Sequence, residues 1–140
     1  MKRARAADLP AVRSTALYSL SGKLLDVGRT ADALELACEA YEIARSQSDQ
    51  WRLALTACRL GSILAALGRP GVAALAYSAG MASLEEMGGV ALHRAEEDRQ
   101  TLDRLHEELG DSFEERWEAG RRLAFEEAIE LALAEATADA

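Results

Sequence analysis

Side chains able to do chemistry are sparse in this chain, and their spacing limits what they can support. His93 and Glu97 stand four apart, one helical turn, and His106 lies near Asp103 and Glu107. A helical metal site needs two histidines on one face, or histidine and cysteine at a ligating spacing, and neither pattern occurs. These residues read as solvated helix surface, so no metal and no other cofactor is expected. Glu96, Glu97, Asp98, Glu107, Glu108, Glu114 and Glu115 offer carboxylates for acid–base work. Such pairs act only where their surroundings drive the two pKa values apart. Here arginines follow at helical spacing, as Arg122 follows Glu118, which is the pattern of surface ion pairs. Cys38 and Cys58 are remote from the histidines, and no Cys–His or Ser–His–Asp arrangement is legible. Reduced, buried thiols are expected. No catalytic residue is assigned, and the chain is read as something other than an enzyme.

The elements that must hold these residues are helices. Alanine makes up about a fifth of the 140 residues, β-branched residues are scarce, and only Pro10 and Pro70 interrupt the helix formers. Gly28, Gly68 and Gly110 each close a leucine-rich amphipathic stretch, at intervals of 40 and 42 residues. That interval is the period of a stacked helix–turn–helix unit, which cannot bury its apolar face alone. The spacing predicts an all-α, tetratricopeptide-like superhelix of about seven helices. Residues 1–9 form a flexible basic terminus, 10–47 and 49–88 two helical pairs, 90–136 a degenerate capping unit, and 137–140 a tail. Together 10–136 make one domain.

Within that plan Leu17, Leu20, Leu24 and Val27 stripe the first helix, and Thr30 caps the second. Trp51, Leu55, Leu60, Ile63, Leu64 and Leu67 stripe the third. Ala33 and Ala73 mark close helix crossings, with Gly61 doing the same in the third helix. A fifth helix runs from about Val90 to Leu109, and two short ones follow, divided by Gly120. Phe113, Trp117, Leu123, Phe125, Ile129 and Leu133 close the open end, with Trp117 under the fifth helix.

Charge is distributed unevenly. Residues 1–95 carry 11 basic and 9 acidic side chains; residues 96–140 carry 5 and 15, a net of −10. Such an acidic half repels phosphate, so no direct nucleic-acid contact is expected. No apolar run reaches the ~20 residues that cross a bilayer, and no leader pattern follows Lys2 and Arg3. A cytoplasmic protein without membrane contact is expected.

The pattern Leu60-Gly61, Gly68 and Ala73, echoed by Leu20, Gly28 and Ala33, resembles lengthened tetratricopeptide repeats. From Gly68 onward, Phe113, Trp117, Gly120, Leu123, Glu126, Glu127, Ala128, Ala132 and Leu133 resemble the C-terminal end of bacterial LuxR- and AfsR-type transcriptional regulators. Those proteins carry a signal-transduction ATPase, but no phosphate-binding GxxxxGK[ST] loop occurs here. The resemblance implies a sensor or assembly segment that binds protein without catalysis. In such repeats the first helix of each pair lines the concave side, which places Thr15, Tyr18, Leu25, Leu55, Cys58, Ser62 and Ala65 along a partner groove. A small, largely apolar groove suits an apolar helix or peptide, or a second copy forming a homodimer. A free-standing adaptor and a small-ligand sensor are the alternative readings.

Overall fold

Four left-handed residues set the architecture: Gly28, Ser48, Gly68 and Gly88, with φ of 83°, 53°, 78° and 70°. They recur every 20 residues, one corner for each helix of a two-helix unit that repeats every 40. Each closes a helix in the same way. The amide at 28, 48, 68 or 88 donates to the carbonyl three residues back, and the next amide donates to the one five back, as in Arg29 to Leu24 at 2.8 Å. This Schellman arrangement satisfies carbonyls the helix end leaves unpaired, and it turns the chain sharply.

The computed structural model describes residues 8–89 and 94–138. Among them are seven helices and no strand: α1 (Asp8–Asp26), α2 (Thr30–Ser46), α3 (Gln50–Ala66), α4 (Pro70–Glu86), α5 (Ala95–Leu109), α6 (Ser112–Arg122) and α7 (Phe125–Ala138). The expected flexible terminus lies largely outside the described residues, as do His93, the expected start of the fifth helix at 90–93, and residues 139–140.

The core is centred on α3, whose residues from Leu53 to Ala65 are all buried. α2 and α4 flank it most extensively, and α4 is in turn covered by α6 and α7. Small residues make the crossings close. Ala33, Ala37 and Ala40 of α2 have no exposed surface, nor has Ala73 of α4. Where α3 meets α4 each helix offers a glycine. A Cβ on Gly61 would stand 2.7 Å from the Tyr77 ring, and one on Gly80 would stand 2.9 Å from the Ala54 carbonyl oxygen. Interior density leaves no room for that methyl group.

Several local expectations are corrected. α1 begins at Asp8, ahead of Pro10, because a first-turn proline forfeits no intrahelical hydrogen bond. Thr30 lies inside α2, and Arg29 at the cap position makes no side-chain capping bond; its guanidinium pairs with Asp32 instead, at 2.9 Å. The side-chain cap falls instead at Asp49, which accepts from the Arg52 amide of α3. Leu20 and Val27 are exposed; α1 instead buries Ser14 and Ser21 and packs Leu24 on the core, and the Ser14 hydroxyl donates to the Ala40 carbonyl of α2. Trp51 and Leu67 are also exposed rather than part of a core stripe. Gly120 divides nothing. It sits buried within α6, where a Cβ would come within 2.6 Å of the Leu75 carbonyl oxygen of α4, and the chain breaks at 123–124 instead. Trp117 packs on Phe113 (5.3 Å between ring centroids) and on Tyr77 of α4 (6.4 Å). Both cysteines are free thiols. Among the described residues no helix is long and apolar enough to cross a membrane.

Candidate functional site

α1, α3 and α5 run side by side, α3 touching both of the others. The seven residues predicted for a groove lie on α1 and α3, and they do not share one trough. Thr15, Tyr18 and Leu55 border a depression of about 310 Å³ with Ser14, Trp51 and Thr56. Leu25, Ser62 and Ala65 border a second, of about 320 Å³, with Asp26, Glu97 and Arg104. Cys58 borders neither: it has no exposed surface and supports Gly80 from below. Burial pushes its thiol up to about 12, so it is a protonated core residue.

A polar cluster separates the two depressions. Arg59 rises from the buried face of α3, and its guanidinium meets both oxygens of Glu97 on α5, at 3.1 and 3.3 Å. Its Nη1 donates to the Tyr18 carbonyl at 2.6 Å and to the Ser21 hydroxyl at 3.2 Å, and its plane lies 4.2 Å from the Tyr18 ring centre. Gly22 makes this possible, since a Cβ there would stand 2.5 Å from the same nitrogen. Arg94, at the N-cap of α5, is enclosed completely. It donates to the Tyr18 hydroxyl at 2.7 Å and to Glu97 at 3.2 Å, and its Nε stands 3.3 Å from the Asp98 carboxylate. Tyr77 of α4 donates to that carboxylate too. Two cations and two carboxylates thus tie α5 to three other helices.

Their electrostatics follow from burial and pairing. Burial works against ionised Glu97, but Arg94 and Arg59 outweigh it and hold the carboxyl below its ordinary range. Burial dominates at Asp98 and pushes its carboxyl up to about 6, against the pull of Arg59. Burial also raises the Tyr18 phenol, with the two arginines opposing. A buried charge needs a hydrogen-bonded partner or it costs several kcal/mol. With their donors turned onto Tyr18, Ser21 and Glu97, the arginines act as a clamp that fixes α5.

Sequence reasoning missed this clamp, although one signal was present. Arg59 is the single charged residue between Arg52 and Arg69, inside an apolar run, and such a residue demands a carboxylate brought from elsewhere. The residues considered for metal or acid–base chemistry are scattered. His106 stacks on Phe113 at 3.7 Å, Glu96 pairs with Arg99, and Glu108 pairs with Arg104. Among the described residues no group of three or more histidines, cysteines and carboxylates gathers as a metal site would need. The first depression offers the more apolar surface of the two, walled by Trp51, Leu55 and the Tyr18 ring, with Trp51 38% exposed. The sequence matches no protein-family model, and comparison with curated proteins and with solved structures finds no match.

Proposed function

We propose that this chain is a non-catalytic, tetratricopeptide-like interaction module that takes an apolar helix of a partner protein in the depression between α1 and α3. The observation that carries the reading is the pairing there of an exposed Trp51 with Leu55 and Tyr18, beside the polar rim of Thr15 and Ser19. Aromatic anchors in a small apolar hollow, bordered by hydroxyls, match the chemistry of helix-in-groove recognition. The 20-residue succession of α1 to α4 supports the repeat reading by giving each helix the same exit geometry. The reading extends to a role like that of the C-terminal assembly segment in bacterial transcriptional regulators, within the cytoplasm and without contact to nucleic acid or membrane.

The test uses the protein's own fluorophores. With Trp117→Phe in place, Trp51 is the remaining tryptophan. Titration with a panel of amphipathic Leu/Ala helical peptides should shift its emission to the blue, and Thr15→Glu should weaken the binding at least tenfold. An unchanged emission across the panel, or equal affinity for the Thr15→Glu variant, contradicts the proposal. A shift produced by small apolar molecules and by no peptide would transfer the hollow to ligand sensing.

A further inference from the structure

We infer that the seat of α5 regulates the hollow between α1 and α3, so that a partner helix bound there and the clamp under α5 stabilise one another. This rests on the reading of the hollow as a helix-binding groove, and it names what controls that groove. No residue of α5 borders the hollow. Its three apolar walls are nevertheless held by α5 or by the chain just beyond α4. Tyr18 is the most constrained. Its hydroxyl accepts from Arg94, the N-cap residue of α5, at 2.7 Å. Its ring centre lies 4.2 Å from the Arg59 guanidinium, whose charge is answered by Glu97 of α5 at 3.1 and 3.3 Å. Leu55 belongs to a small buried apolar cluster, against which Tyr18 and Leu102 of α5 both pack. Trp51 lies on Gly89, where a Cβ would stand 2.4 and 2.8 Å from two carbons of the indole ring. Gly88 takes the left-handed corner here, so what Gly89 supplies is room for the indole.

Release of α5 acts on these walls together. The Tyr18 hydroxyl loses the Arg94 donor, buried Arg59 loses the carboxylate that balances its charge against the Tyr18 ring, and the cluster around Leu55 loses Leu102. α5 is the element to open first, since it buries two of its fifteen residues, Thr101 and Leu105, and depends on charged contacts for much of its attachment. A partner helix binds the hollow with its walls in place better than the hollow without them. Binding equilibria are reciprocal, so the same partner favours the seated state of α5 over the released one. The clamp thereby makes the hollow responsive to whatever acts on α5.

The test uses the full chain with Trp117→Phe, which leaves Trp51 as the reporter, and an amphipathic Leu/Ala helical peptide as the probe. Glu97→Gln removes the carboxylate from both arginines without touching the hollow. It should weaken peptide binding by about fivefold or more. Without peptide, it should make Trp51 emission easier to quench with acrylamide. In the parent, saturating peptide should slow hydrogen exchange of the α5 amides. Glu108→Gln, which breaks the α5 surface pair with Arg104, should change neither affinity nor quenching. If Glu97→Gln denatures, Gly89→Ala carries the same test: its methyl group displaces the indole, and peptide affinity and α5 protection should fall together. Equal peptide affinity in the parent and Glu97→Gln overturns the inference and leaves the groove reading intact. Absence of peptide binding to the parent, with Trp51 quenching still raised by Glu97→Gln, sinks the groove reading and leaves the control of the hollow by α5 standing. Quenching unmoved by Glu97→Gln overturns the inference in either case.

Discussion

Helices α1 to α4 and helices α5 to α7 solve the same problem with different physics. In the first set, helices of 17 to 19 residues follow one another through three-residue connections, and contact is made by alanine, glycine and leucine. α5 has two buried residues, Thr101 and Leu105, among its fifteen. It is held by Arg59, Arg94 and Tyr77 acting on Glu97 and Asp98, and by a 3.1 Å bond between the Ser62 and Thr101 hydroxyls. Shape complementarity is indifferent to pH and salt, whereas a charged clamp depends on both. The contrast teaches that one chain can build a rigid array and attach a helix to it by terms that solution conditions adjust.

The strongest attack on the array is Gly80→Val. Its side chain must enter space occupied by the Ala54 carbonyl and the Cys58 backbone, neither of which can swing aside. A loss of about 3 kcal/mol is expected, seen as one cooperative shift in urea denaturation. Gly120→Ala makes a similar clash, against the Leu75 carbonyl, but at the edge of the fold. About 2 kcal/mol is expected there. Emission from Trp117 should shift to the red at urea concentrations where far-UV ellipticity still reports folded α1 to α4.

The clamp is separated from the array by pH. Glu97 ionises more readily in the fold than in the unfolded chain, so its stabilisation is present above about pH 4.3 and is lost as the pH falls through its folded value. The stability gap between the parent and Glu97→Gln should therefore widen from pH 3 to pH 5. Asp98 has the opposite sign. Its folded value of about 6 lies above the ordinary 3.8, so ionisation costs stability progressively as the pH rises from 4 to 7. Over that window the parent should lose stability relative to Asp98→Asn. Thermal melts at half-unit intervals check both, and equal slopes for the two variants would contradict the clamp.

The smallest effect concerns the array's one irregular corner. Ser48 takes the left-handed conformation that glycine holds at 28, 68 and 88. Ser48→Gly should raise stability by up to about 1 kcal/mol, because the strain of a Cβ there exceeds the entropy glycine adds to the unfolded chain. A measurable loss of stability would mean that the serine side chain does something at this corner that the backbone bonds do not explain.

Much of the fold could be read from residue types. Glycine at 28, 68 and 110 announced the helix ends, alanine at 33 and 73 the close crossings, and the scarcity of β-branched residues the helical class. The corner at 48 lies at the boundary expected between the pairs 10–47 and 49–88, although it carries serine instead of glycine. Gly120 was misread because a glycine that ends a helix and a glycine that seats one look alike without the neighbour they face. Of the candidate groove, Thr15, Tyr18 and Leu55 came together as one wall, while Cys58 sank into the core. The clamp joins residues 18, 59, 77, 94, 97 and 98, a convergence across four helices that no local pattern encodes.

Native-state hydrogen exchange tests the division of this molecule into a packed array and a clamped helix. Amides of α3 and α4 should exchange only through global unfolding. Those of α5 should open at lower free energy and, with Asp98→Asn removing the titration of opposite sign, lower still as the pH falls below about 4.3, where the stabilisation by ionised Glu97 is lost. Protection in α5 equal to that of α3 and unmoved by pH would contradict the division outright.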